Sequence, residues 1–179
     1  MGKRSIKENK NIYQTSRENL NYTREKAAEQ LQFISADRIE KIESEKTLPH
    51  PDEVLQMSKV YKTPNLCNYF CTHECPIGIE CMDEIAHKDL SQITLEILSS
   101  LNALEKTKNR FIDITVDGTI SEDEFKDFIE IQAELKHIAN TVSSLSLWVD
   151  ETISSGKIDK AKLDSYLNHE CEQYNKRIL

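Results

Sequence analysis

TREKAAEQLQFISADRIEKIE, running from Thr23 to Glu43, is the stretch that decides how this chain folds. Thr23 can cap a helix, because its hydroxyl can accept from a first-turn amide that has no helical partner. Ala27, Ala28 and Leu31 then share one face of that helix. Ser35 can cap a second helix, in which Ile39 and Ile42 lie three apart and face inward. Only small side chains let two helices cross closely at a steep angle, which is what the tandem Ala27-Ala28 supplies. The connection is too short to do more than set that angle, so the stretch reads as a helix-turn-helix. Ala36, Asp37, Arg38, Glu40 and Lys41 stay outward on the second helix, forming the surface that a DNA major groove would meet.

Working outward, a first helix is predicted over Ile12 to Leu20, with Ile12, Ser16 and Leu20 inward and Arg17 near its end. Downstream, the segment TLPHPDE ends one element at Pro49 and Pro51, and Pro51-Asp52-Glu53 suits the first turn of the next. That fourth helix runs to about Tyr61 and buries Val54, Leu55, Met57 or Ser58, and Tyr61. Pro64 opens a fifth, carrying Leu66, Cys67, Phe70 and Cys71. The expected organisation is an all-α chain: a five-helix unit over residues 1–70, a cysteine-rich connector over 71–89, and a C-terminal helical domain over 90–179.

The first of these resembles the lambda-repressor-like (Xre) helix-turn-helix family of bacterial and phage regulators, over roughly residues 10–65. The resemblance is carried by Arg17, by Thr23-Arg24-Glu25-Lys26-Ala27-Ala28 and by Arg38-Ile39-Glu40-Lys41-Ile42-Glu43. It implies a DNA-binding domain that docks on double-stranded operator DNA, with two copies of the chain on a two-fold site. It implies a structural ion pair between Arg17 and Glu43. It also implies groove-reading positions at Ser35, Ala36, Asp37, Arg38 and Lys41, with Arg24 near phosphate. Two positions depart from the family pattern. Gln32-Phe33, with one extra residue, stands where the family usually has a turn Gly, and Glu45 stands where it usually has Gly as a left-handed cap. Asp37 and Glu40 can only accept hydrogen bonds, so on a reading face they would favour cytosine amino groups and repel phosphate.

Composition sets the limits around this. The chain has 179 residues, enough for one domain or two small ones, and 38% hydrophobic with 30% charged residues makes it heavily solvated. Gly and Pro number four each, and strand-like alternation is almost absent, which points to helices throughout. The net charge of −8 is unevenly spread: residues 1–65 hold 12 Lys/Arg and 10 Asp/Glu, and the remainder holds 11 and 21. Acidity therefore belongs to the C-terminal part, which leaves the helix-turn-helix mildly basic and compatible with DNA. The first eleven residues carry four basic side chains and one acid. No run approaches a membrane span and MGKRSIKENKN lacks an apolar signal core, so a cytoplasmic protein with reduced cysteines and no membrane partner is expected. His50, His73, His87, His137 and His169 are scattered, and no nucleophile–base pair or phosphate loop is visible, so an enzyme is not expected.

Four of the five cysteines fall in LCNYFCTHECPIGIEC: Cys67, Cys71, Cys75 and Cys81. Several thiolates close together suit zinc or an iron–sulfur cluster. Their spacing, however, is not the C-x₂-C of strong zinc signals, and ligands on one helix converge poorly on a tetrahedral ion. Small buried apolar residues and a thiol redox switch are the other readings.

Beyond Leu90 the apolar residues recur at helical spacing: 90, 93, 97, 101, 104 and 111, then Ile131, Leu135, Ile138, Val142, Leu145 and Val149. Two long helices with matched stripes read as an antiparallel hairpin that could extend into a dimer interface. Leu163, Tyr166 or Leu167, Cys171, Tyr174 and Ile178 supply a last amphipathic helix. The connection DITVDGTISEDE matches a calcium loop, with Asp113, Thr115, Asp117 and Glu124 as ligands. It also matches an Asp-Gly turn followed by a helix that Ser121 caps, and a weaker echo at Ser155-Gly156-Lys157-Ile158-Asp159 puts Lys162 where the second loop would need its bidentate acid. The function expected from all this is a sequence-specific DNA-binding regulator. The alternative is a helical sensor or protein-interaction module that does not bind DNA, with a C-terminal region that could respond to a metal or calcium.

Overall fold

The computed structural model describes residues 10–116 and 118–167. Among these every regular element is a helix, and the described residues divide into two compact units, one running up to Glu84 and taken up again from Asp150, the other Ile85–Val149. Asp117, His169, Cys171, Tyr174, Ile178 and the basic residues before Lys10 lie outside the described residues.

In the first unit α1 is Ile12–Asn19, α2 Arg24–Leu31, α3 Ala36–Glu43, α4 Pro51–Val60, α5 Asn65–His73 and α6 Pro76–Cys81. The caps are the ones the residues announce: Thr23 accepts from the Lys26 amide at 3.1 Å and Ser35 from the Arg38 amide at 3.2 Å. Asn11, not among the expected caps, closes the start of α1 through the Gln14 amide at 2.9 Å. Ala27, Leu31, Ile39, Ile42, Met57 and Leu66 meet in one core. Leu55, expected inward, is 49% exposed, because Val54, Met57, Ser58 and Tyr61 already define the buried face of α4 and Leu55 lies about 100° round from Val54. The cysteine-rich stretch is not a connector. It forms the end of α5 and all of α6, which pack on each other, and this moves the expected boundary from residue 70 to Glu84.

Helix ends explain how the chain manages without glycine. Asn21, Glu45 and Lys62 take φ values of 55°, 59° and 54°, each directly after a helix. After α3 the Lys46 amide reaches back to the Lys41 carbonyl at 2.9 Å and the Glu45 amide to Ile42 at 3.1 Å, the paired bonds of a Schellman cap. Glu45 therefore does the task that glycine does elsewhere, at a cost in backbone strain. Glu45→Gly is expected to raise stability by about 0.5–1 kcal/mol, read as a higher urea midpoint at unchanged slope. A lower midpoint would contradict the strain.

In the second unit α7 is Leu90–Thr115, and α8, Phe125–Ser154, begins within it. The two run antiparallel, since Arg110 pairs with Asp127 at 2.5 Å and Glu96 feels His137. α7 buries Ile93, Ser100 and Ile114. α8 buries Ile131, Thr141, Ser144 and Leu147, while Leu135 and Val142 of the expected stripe lie exposed. A 3.5-residue repeat drifts about 20° per heptad round a straight helix, so the inward set changes along its length. Thr141 and Ser144 can be buried because their hydroxyls donate to the His137 and Asn140 carbonyls, at 2.9 and 3.0 Å. Gly156, at φ 76°, caps the end of α8, and Asp159 caps a further helix over residues 160–167. The supposed echo of a calcium loop is thus a helix stop followed by a helix start.

Candidate nucleic-acid interface

The turn between α2 and α3 contains Gln32 at φ 65°, ψ −49°, and the Phe33 amide donates to the Leu31 carbonyl at 2.8 Å. This is a γ-turn of the rare positive-φ kind, which accommodates Gln32-Phe33 in the short connection between α2 and α3. It leaves Phe33 59% exposed beside the start of α3 and returns Ile34 to the core. Phe33, in the sequence a departure from the turn pattern and not a candidate contact, is the exposed aromatic residue at this surface.

Glu43, at the end of α3, is 4% exposed and holds two arginines. Arg17 Nε and Nη2 reach its two carboxylate oxygens at 2.5 and 2.9 Å, and Arg17 Nη1 donates to the Tyr22 carbonyl. The ion pair implied by the resemblance is therefore present. Arg24 Nε also donates to Glu43, at 2.8 Å. This ties one edge of its guanidinium to the end of α3, while the side chain remains 36% exposed.

Arg38 is placed still differently. Its Nε and Nη2 grip both oxygens of Glu53 at 2.8 and 2.7 Å, Nη1 donates to the Thr47 hydroxyl at 2.7 Å, and Nη2 donates to the Leu48 carbonyl at 2.9 Å. Glu53 in turn accepts from the His50 amide at 2.7 Å. Burial pushes the Glu53 carboxyl up, but Arg38 and the His50 amide outweigh it and hold the group below the usual range. Arg38 thus ties α3 to the start of α4 and would have to release these bonds to read a base. Ser35, Asp37 and Lys41 are exposed and Ala36 half-buried, while Glu40 pairs with Lys46 at 3.0 Å. The outward face of α3 is small and polar, with charges of both signs.

Cys67 and Cys75 stay beside Cys71, whereas α5 ends at His73, the chain turns at Cys75-Pro76, and Cys81 lies exposed at the end of α6. Among the described residues no three Cys, His, Asp or Glu groups are placed to hold a metal ion, which corrects the zinc and iron–sulfur reading of Cys67, Cys71, Cys75 and Cys81. Cys67 donates to the Ser58 hydroxyl at 3.4 Å. Burial, with Cys75 and Cys67 beside it, pushes the Cys71 thiol up, the opposite of what a reactive thiol needs. The calcium-loop residues are likewise committed elsewhere. Asp113 and Thr115 belong to α7, with the Thr115 hydroxyl on the Phe111 carbonyl at 2.9 Å, and Glu124 accepts from the Ser121 hydroxyl and amide at 2.6 and 3.1 Å. Glu124 therefore closes the turn that leads into α8 on Ser121.

Comparison with models of protein families, with curated proteins and with solved structures finds no match for this chain. Among the described residues no helix is long and apolar enough to cross a membrane.

Proposed function

We propose that this chain is a cytoplasmic, sequence-specific DNA-binding regulator that lays α3 in the major groove as one of two copies on a two-fold site. The observation that carries the reading is the α2–α3 pair: two capped eight-residue helices crossing on Ala27, Leu31, Ile39 and Ile42, locked by Arg17 and Glu43, with Ser35, Ala36, Asp37 and Lys41 turned away from the core. A helix presented in this way can reach base edges through its first turn while the rest of the bundle meets the backbone. Arg38 acts here by fixing the angle of α3, and Asp37 is the residue suited to cytosine.

Selection from random genomic fragments, followed by anisotropy titration at two salt concentrations, tests it. A preferred sequence with a steep salt slope is expected. Asp37→Ala should relax discrimination at one base pair by about 1–3 kcal/mol. Lys41→Ala, at another groove-reading position, should relax discrimination at a second base pair by about 1–3 kcal/mol. The engagement of Arg24 and Arg38 inside the fold favours a second reading, a helical sensor or interaction module. Absent or salt-insensitive binding would select it.

A further inference from the structure

We propose that one face of the α7–α8 hairpin is the surface on which two copies of this chain associate. Leu90, Leu101 and Ile112 are 43%, 51% and 55% exposed, and Leu135 and Val142 are 39% and 50% exposed. At 100° per residue the three α7 positions fall within about 40° of one another, roughly 110° round from the buried line through Ile93, Ser100 and Ile114. Leu135 and Val142 sit roughly 70° round α8 from Ile131 and Thr141. Both rotations follow rising residue number. Because the helices are antiparallel, both stripes emerge on the same side of the hairpin. Lys108 falls within the α7 stripe and Glu105 beside it; the two pair with each other at 2.6 Å and add no net charge to the face.

The spacing also states how a second copy fits. Leu90, Leu101 and Ile112 are separated by eleven residues, three turns, so a two-fold axis at Leu101 brings Leu90 against Ile112 of the other copy and Leu101 against itself. Such an interface is self-complementary. A pair of helices has no enclosed interior, whereas two hairpins face to face make a four-helix bundle that does. The area suffices. α7 has 26 residues, about 39 Å of helix roughly 10 Å across. A helix laid along it covers on the order of 400 Å² per copy, and α8 beside it brings this to the ~800 Å² per partner of a stable interface.

This surface rests on the hairpin alone, so it and the DNA reading fail separately. Light scattering of the full chain without DNA is expected to give about twice the 20.7 kDa chain mass. Leu101→Glu should weaken association at least a hundredfold with unchanged helical circular dichroism, and Leu95→Glu, on another side of α7, should leave it intact. Since Leu101 would meet its own copy, mixing Leu101→Glu with Leu101→Lys should restore the dimer. A wild-type monomer at tens of micromolar, a mass above two chains, or a dimer indifferent to Leu101→Glu would each overturn the proposal. So would a monomer destabilised by Leu101→Glu, which would mean that the face is covered within one chain.

Discussion

Glu43→Ala should lower the stability of the first unit by about 3–5 kcal/mol, a large share of the total for a domain of this size. The reason lies in what is left behind. Arg17 is 6% exposed, and its charge is balanced by the Glu43 carboxylate at 2.5 and 2.9 Å. Without that carboxylate a buried guanidinium keeps the Tyr22 carbonyl and only the more distant Glu18 carboxylate, at 3.6 Å, and Arg24 loses its anchor on α3. Urea denaturation followed by circular dichroism measures the loss. A double replacement, Arg17→Met with Glu43→Leu, should recover most of it, because an apolar pair of similar volume dispenses with two desolvated charges. A loss below about 1 kcal/mol in the single variant would mean that the pair is solvated. DNA binding of Glu43→Ala should fall with the folded fraction and not with any lost contact.

Gly78→Ala is the second large effect expected. A Cβ at this position would lie 2.1 Å from the Cys71 carbonyl oxygen and 2.7 Å from its carbon, so the backbones of α5 and α6 touch where glycine has no side chain. Neither atom belongs to a flexible side chain that could move aside. With six residues and no side-chain cap, α6 cannot persist unsupported and should leave α5. The cost should approach about 3 kcal/mol, the upper end for forced overpacking. Cys71, half-buried at that contact, should then react faster with a thiol reagent, followed by mass spectrometry of its peptide. Unchanged labelling together with a shift under about 0.5 kcal/mol would show that the two helices do not approach so closely.

Much of the first unit is legible in its residues alone. Thr23, Ser35 and the Pro51-Asp52-Glu53 start each act on amides within three or four residues, so both partners lie side by side in the sequence. The Arg17–Glu43 pair spans 26 residues and is legible only through the family resemblance. Arg38 shows why resemblance stops there. Its position suggests a base reader, but Glu53 and Thr47 lie 15 and 9 residues on, and no local pattern shows that α4 starts within reach of its guanidinium. The cysteines mislead in the opposite way: Cys67 and Cys75 do lie beside Cys71, yet among the described residues no three Cys, His, Asp or Glu groups are placed to hold a metal ion.

By itself, then, the sequence determined the all-α class, the position and caps of the short helices, and the α2–α3 pair. Those depend on interactions within one or two turns. Only the tertiary structure decided that Arg38 and Arg24 serve the fold, that α6 rides on Gly78, and that Leu135 and Val142 remain outside. Which residue a guanidinium meets, or which side of a long helix is covered, depends on how distant segments approach, and that approach is set by packing of the whole unit.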